Sequence, residues 1–245
     1  MVRLFVDFDL PGAGAIVLSQ EDSHYITTLM HMKVGDEVHL FNGRDGEWKA
    51  TIGDIHKRKA AFTIGEQVKP QGEEPDLWLV FALIKKPRID FMVQKATEMG
   101  VSRLVPVFTK YTKVDRVKTE RLYVNAKEAA EQCERMMVPI VDEPQKLNQL
   151  LANWPNGRQL MFCDEDLSGK PVLEKLSSLK REIKEPWAIL IGPEGGFSAD
   201  ERDRLNALDF THKVSLGPRV LRADTAAIAA LALWQSALGD WGGDW

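Results

Sequence analysis

Two glycine-rich stretches in the C-terminal third carry the residue types best suited to chemistry. The first is Ile189-Leu-Ile-Gly192-Pro-Glu194-Gly195-Gly196-Phe-Ser198-Ala-Asp-Glu201. An apolar strand runs there into a glycine-rich turn and then into a helix capped by Ser198, with Glu201 completing a capping box. Glycines let backbone groups approach a ligand with no Cβ in the way, and open parallel sheets bind ligands beyond the carboxyl ends of their strands. The turn is neither a dinucleotide fingerprint nor a Walker loop. Pro193 removes a donor and Glu194 adds negative charge, and both oppose a phosphate cradle. The second stretch is Val214-Ser-Leu-Gly217-Pro-Arg219-Val-Leu221-Arg222-Ala-Asp224-Thr225. Again a strand enters a Gly-Pro loop; two arginines follow, and Asp224 or Thr225 can cap an alanine-rich helix. Two such loops on neighbouring strand ends could close around one ligand. The plainer readings stay open: a tight strand-helix turn for the first, and pairing of Arg219 and Arg222 with local acids for the second.

Loops of this kind need a sheet to hold them. From Leu77 the chain alternates strand and helix patterns. Leu77 to Ile84 is an uninterrupted apolar run, as in a strand buried on both faces. Ile89, Met92, Val93 and Ala96 recur at helical spacing, with Gly100 at a C-cap position. Leu104 to Phe108, Leu160 to Cys163, Trp187 to Ile191 and Lys213 to Leu216 read as strands. Thr119 to Arg135 and Thr225 to Leu238 read as helices. This alternation predicts an α/β domain with a parallel sheet.

The first 66 residues read as mostly β. Val38-His-Leu-Phe and Trp48-Lys-Ala-Thr-Ile flank Asn42-Gly-Arg-Asp-Gly-Glu, a hairpin signal, and Ser19 can cap one helix that ends before Val34. Short strands with one helix suggest a small barrel that binds something. Lys69-Pro-Gln-Gly-Glu-Glu-Pro-Asp76 has two prolines and no apolar residue, and reads as a linker. The expected division is residues 1–70 for the barrel, 71–76 for the linker and 77–245 for the α/β domain.

The 245 residues include 32 Lys+Arg and 36 Asp+Glu, a formal net charge of -4, with 44% hydrophobic and 28% charged residues. That balance excludes a disordered chain, and no apolar run approaches the ~20 residues that span a bilayer. The N-terminus does not read as a secretion signal, so a cytoplasmic location is expected. Residues 85–135 hold 12 basic against 7 acidic side chains, a local excess that raises nucleic acid as a partner; a solvated face laced with ion pairs gives the same count. Cys133 and Cys163 form neither a disulfide framework nor a zinc pattern. Five histidines include no tight ligand pair, and Asp164-Glu165-Asp166 reads as a solvated loop rather than a metal site. Trp241 and Trp245 lie in a Gly-Asp-rich tail that could dock on a partner subunit or fray.

Ile191-Gly-Pro-Glu-Gly-Gly-Phe-Ser followed by Leu216-Gly-Pro-Arg-Val-Leu-Arg-Ala-Asp-Thr-Ala resembles the C-terminal signature of the ribosomal small subunit methyltransferase E family. That family belongs to the SPOUT class of S-adenosylmethionine-dependent RNA methyltransferases. Further resemblance lies in Lys85-Lys-Pro-Arg88-Ile-Asp90 with Gln94-Lys95-Ala-Thr-Glu98-Met-Gly100, in Glu128-Ala-Ala-Glu131-Gln132-Cys-Glu-Arg135, and in Val34-Gly-Asp-Glu-Val with Phe41-Asn-Gly43. The match runs in order along nearly the whole chain. Two positions depart from the family pattern: Asp224 stands where Glu is usual, and His31 stands where Arg is usual.

The resemblance implies a SPOUT α/β sheet whose C-terminal segment forms a deep trefoil knot, an exception to the usual unknotted rule. It implies a PUA-like RNA-binding barrel at the N-terminus and a homodimer. The implied cofactor is S-adenosylmethionine, held by loops at Phe162 to Glu165, Gly192 to Gly196 and Leu216 to Arg222, with no metal. Carried onto this chain, the cofactor residues are Phe162, Ile191, Gly192, Gly195, Gly196, Leu216, Gly217, Leu221, Arg222 and Thr225. The implied reaction is N3 methylation of one uridine of 16S rRNA, position 1498 in conventional ribosomal numbering, in the small subunit. Arg222 is the candidate to stabilise negative charge on the base, and Glu194 is a candidate base or cofactor anchor. Arg3, Arg44, Lys85, Lys86, Arg88, Lys95 and Arg135 are candidate RNA contacts. The alternatives are a different RNA target for a SPOUT enzyme, and a non-catalytic RNA- or ribosome-binding protein.

Overall fold

Val38, Leu40, Ala50, Ile52, Phe62 and Ile64 fall at alternate positions along three strands, and the strand period of two puts them on one buried face. The computed structural model describes residues 1–10, 12, 14–56, 59–166, 168–179 and 185–242. Strands β1 (Val2–Phe5), β2 (Gly14–Val17), β3 (Glu37–Phe41), β4 (Glu47–His56) and β5 (Lys59–Lys69) form a sheet of order β1-β3-β4-β5-β2. β1 runs parallel to β3, and the remaining pairs are antiparallel. The expected hairpin joins β3 to β4: Asn42 Oδ1 accepts from the N–H groups of Arg44 and Asp45, and Gly43 and Gly46 take φ of +76° and +80°. Register shifts between β4 and β5 bend the sheet. Helix α1 (Gln20–His24) starts where Ser19 Oγ accepts from Asp22 N, and it continues through a π turn over Tyr25–Leu29.

The chain divides into two compact units. Residues 1–73 with 130–138 make the first; residues 74–129 with 139–245 make the second. In the first, the Arg3 guanidinium ties the returning segment to β1. It donates to the carbonyls of Ala130, Glu131 and Arg135 and to Glu47 Oε2.

The second unit is built on β6 (Leu77–Ala82), α2 (Lys86–Glu98), β7 (Arg103–Phe108), α3 (Thr119–Gln132), β8 (Ile140–Val141), β9 (Gln145–Lys146), α4 (Leu147–Ala152), β10 (Gln159–Cys163), β11 (Lys170–Pro171), α5 (Val172–Ser177), β12 (Trp187–Ile191), α6 (Ala199–Asn206), β13 (Thr211–Ser215) and α7 (Ala223–Ala237). Most of α3 belongs to it, and only its last three residues fall in the first unit. Its sheet has the order β11-β13-β10-β12-β6-β7-β8, with β9 beside β7. Every pairing in it is parallel. β12 is buried at all five positions, as its unbroken apolar run requires. Helix α2 turns Ile89, Met92, Val93 and Ala96 inward and stops at Gly100, whose φ is +82°. The short β2, β8, β9, β11, α4 and α5 have too few residues for a periodic signal and are additions of the structure. Helix α7 begins at Ala223, earlier than the Thr225 start expected. Its N-cap residue Arg222 makes no capping side-chain bond, and Asp224 instead accepts from Thr225 N within the first turn. Trp241 sits in a 3-10 turn, Asp240–Gly242; Trp245 lies outside the described residues.

Candidate ligand site at the strand ends

Strands β13, β10 and β12 are adjacent and parallel, so the loops that follow them emerge on one edge of the sheet. A cavity opens between Cys163–Glu165 after β10 and Leu216–Leu221 after β13, with Ala226 of α7 behind it. Gly217 has φ +111°, and a Cβ there would meet no atom within 4 Å. Space is thus kept open beside a backbone shape that side chains rarely adopt. The backbone N–H groups of Arg219, Val220 and Leu221 donate to no described group. The cavity is lined by apolar side chains with Asp164, Glu165 and Arg219 among them, and the loop at its side carries unpaired backbone donors, a mixed set that suits a nucleoside-like ligand.

An ion network supports its first wall. Asp164, with no exposed side-chain area, accepts from Arg202 Nε at 3.0 and 3.1 Å and pairs with Lys213 Nζ at 3.1 Å. Arg202 also donates to Glu165, and Lys213 to Asp166 at 2.7 Å. Burial alone would raise the Asp166 carboxyl, but hydrogen bonds from Lys213 and Ser168 bring it down to about 2. Glu165 goes the other way: burial raises it, the neighbouring Asp164 charge adds to that, and Arg202 opposes. Burial pushes the Cys163 thiol up to about 12. Of the Asp-Glu-Asp run only Asp166 is exposed, while Asp164 is buried and Glu165 half-buried; the cations that pair with the run come from α6 and β13, far along the chain. Among the described residues no cluster of His, Cys, Asp or Glu suits a metal ion.

The Gly192–Gly196 turn closes on this wall by close contact. A Cβ on Gly196 would overlap the Glu165 carboxylate, and one on Gly192 would lie 2.6 Å from the Phe197 ring. Glycine is thus needed for approach as well as for the φ of +67° at Gly196. Gly195 packs on Tyr111, and Glu194 Oε1 lies 3.6 Å from Arg88 Nη1.

Of the residues expected to hold a cofactor, Leu216, Gly217 and Leu221 line the cavity. Gly196 touches its wall through Glu165. Ile191 ends β12 and Gly192 follows it, and neither lines the cavity. Phe162 does not present its side chain there: it is wholly buried and stacks edge-on against Phe197, because alternation along β10 turns it into the core. Arg222 and Thr225 are exposed at the start of α7, and it is Arg219 that lines the cavity.

The basic candidates divide as well. Arg3 is 7% exposed, its bonds spent on Glu47 and three carbonyls, and Arg135 is 9% exposed; neither offers a free cation to RNA, which corrects that expectation. Arg44 is exposed and pairs with Asp9. Lys85 and Lys86 are exposed at the start of α2, Arg88 holds Glu194, and Lys95 pairs with Glu98. Sequence reasoning missed Arg202, Lys213 and the 109–113 loop. Only the capping-box residue Glu201, whose second oxygen accepts from Lys110 N at 2.8 Å, hinted that this loop lies near.

Residues 72–235 match the RNA methyltransferase domain family, and residues 18–65 match the RNA methyltransferase PUA domain. The fold and its loops therefore define an RNA methyltransferase with an attached PUA domain. A ribosomal RNA small subunit methyltransferase E from Rickettsia conorii is 33% identical over 232 residues, covering 94% of this chain and 93% of its own. A Bacillus subtilis protein of the same name is 29% identical over 245 residues, covering 95% of each. The chain belongs to the ribosomal RNA small subunit methyltransferase E family. A Legionella pneumophila protein solved with bound cofactor SAM superposes with a TM-score of 0.85 at 30% identity, over 98% of both chains. The fold is shared too by a Neisseria gonorrhoeae ribosomal RNA small subunit methyltransferase E bound to S-adenosyl methionine, with TM-score 0.86, 24% identity and coverage of 98% and 99%.

Proposed function

We propose that this protein methylates N3 of one uridine of 16S rRNA, position 1498 in conventional ribosomal numbering, in the small ribosomal subunit. The observation that carries the reading is the cavity between Cys163–Glu165 and Leu216–Leu221, a main-chain cradle in a chain of this family. Leu216, Gly217 and Leu221 would hold S-adenosylmethionine, with the Gly192–Gly196 turn closing over it and Arg222 and Thr225 at its rim. When bound, this cofactor supplies an electrophilic methyl group on a sulfonium. The strand order, with β10 between β12 and β13, is compatible with the trefoil knot of the SPOUT class. A homodimer in the cytoplasm is part of the same proposal.

This chain's residues then have to bring N3 in line and manage its proton. Positioning supplies much of such an acceleration. Uracil N3 carries a proton at neutral pH, and its loss spreads negative charge onto the flanking carbonyl oxygens. Arg222, exposed and with no described ion pair, would stabilise that charge. Glu194, steadied by Arg88, accepts the proton or anchors the cofactor's amino group. Arg44, Lys85, Lys86, Arg88 and Lys95 contribute to holding phosphates.

The test is methyl transfer from labelled S-adenosylmethionine to small subunits or rRNA lacking the modification, with the product nucleoside mapped and identified by mass. Label as 3-methyluridine at the one site is expected. No label despite cofactor binding would overturn the substrate; no cofactor binding would favour a non-catalytic RNA-binding protein. Arg222→Ala should lower kcat by about 10²–10³-fold, and unchanged turnover would remove Arg222 from its role.

A further inference from the structure

A second concavity in the α/β unit lies between Gly195 and the loop that follows β7, Lys110-Tyr111-Thr112-Lys113. The loop is fastened through Thr109, Lys110 and Thr112. Thr109 N donates to Thr112 Oγ1 at 2.9 Å, Thr112 N donates to Thr109 O at 3.2 Å, and Lys110 N donates to Glu201 Oε1 at 2.8 Å. The other oxygen of Glu201 accepts from Ser198 N, so the loop is fastened to the capping box of α6. On this fixed backbone Tyr111 leaves 44% of its surface exposed. A Cβ on Gly195 would come within 3.1 Å of Tyr111 Cβ, so the glycine lets the tyrosine lie against the Gly192–Gly196 turn. Lys110 and Lys113 are exposed and make no described ion pair, and Arg116 and Lys118 follow within five residues.

We propose that this loop is the platform for the acceptor nucleotide: a single-stranded RNA base stacks on Tyr111, and Lys110 and Lys113 hold its flanking phosphates. The inference rests on the RNA-methyltransferase reading above and adds the residues that present the base. N3 lies on the Watson–Crick edge of uracil, so the acceptor must be unpaired before it can react. Proteins hold unstacked bases on aromatic faces with cations along the backbone. Tyr111 supplies such a face beside Glu194, and the pinned loop needs no ordering when the base arrives.

The test uses the full chain and a short fluorescent single-stranded RNA carrying the target uridine, titrated by anisotropy, with cofactor binding followed separately by calorimetry. Tyr111→Ala should weaken RNA binding by about 5- to 150-fold, the range found for one base–aromatic stack. It should raise the KM for RNA more than it lowers kcat, and leave cofactor affinity within about twofold. Tyr111→Phe, which keeps the ring, should recover the affinity that alanine loses. Lys110→Ala with Lys113→Ala should flatten the slope of log K against log salt by about 1.4, at roughly 0.7 per single-strand phosphate contact. The proposal is overturned if Tyr111→Ala binds RNA like the unmodified chain, or if it loses cofactor affinity by the same factor as RNA affinity. The RNA titration needs no turnover. A chain that binds RNA through Tyr111 but transfers no methyl group would therefore sink the enzymatic reading and keep the platform.

Discussion

Gly196→Ala probes how the two ligand loops are joined. At φ +67° an L-residue costs about 1 kcal/mol relative to glycine. The new Cβ would also occupy the place of the Glu165 carboxylate, which must swing away from Arg202. Glu165 is a third exposed, and Arg202 keeps its Nε bond to both oxygens of Asp164, so the lost interaction is worth about 1 kcal/mol after solvent screening. The sum, about 2 kcal/mol, corresponds to a fall in Tm of roughly 4–8 °C for a unit of this size. The assay is thermal and urea unfolding of Gly196→Ala, Glu165→Ala and the double variant. With Glu165 shortened the obstruction is gone, and only the φ cost of the alanine remains. The double variant should therefore be about 1 kcal/mol more stable than the sum of the single losses predicts. Additivity within about 0.5 kcal/mol would show that the loops do not touch through this pair, and would refute the reasoning.

Asp164→Ala should destabilise the protein by about 3 kcal/mol, because it strips a fully buried carboxylate from two cations; a loss below about 1 kcal/mol in urea unfolding would contradict that. The Asp166 carboxyl, held at about 2 against about 3.9 in an unfolded chain, contributes stability that is complete above pH 4 and lost as pH falls through 2. The stability gap between the unmodified chain and Asp166→Asn should accordingly shrink from pH 4 to pH 2, and a gap constant over that window would exclude the Lys213 pairing as its cause. With its thiol at about 12, Cys163 should resist alkylation at pH 8 until the chain unfolds. Peptide mapping after brief labelling checks this, and rapid modification of native Cys163 would show the wall to be open.

Much of the site was already written in local sequence. The unbroken apolar run of β6 announced a strand buried on both faces, Trp187 to Ile191 read as the strand β12, the Ser198–Glu201 pair announced the start of α6, and Gly100 announced the end of α2. Each is a local signal: side-chain period, cap and φ preference act within a few residues. The two Gly-Pro loops stood out for the same reason, since glycines that free the backbone can be seen without knowing the fold.

What the loops meet was decided by the tertiary structure alone. Arg3 read as a candidate RNA contact; in the fold it is buried under carbonyls more than 120 residues away. Asp164-Glu165-Asp166 looked solvated because its partners Arg202 and Lys213 are 38 and 49 residues further along the chain than Asp164. Phe162 belonged by position to a ligand loop, yet the pleat of β10 turned it to the core. Tyr111 carried no motif at all; the turn bonds between Thr109 and Thr112 and the bond from Lys110 to Glu201 hold the loop that sets it beside Gly195. The sequence by itself determined which segments are strands, helices and open turns, because those depend on neighbours in the chain. The order of the strands, and so which turns share an edge and which charges share a partner, depends on contacts between distant residues, and no local period records it.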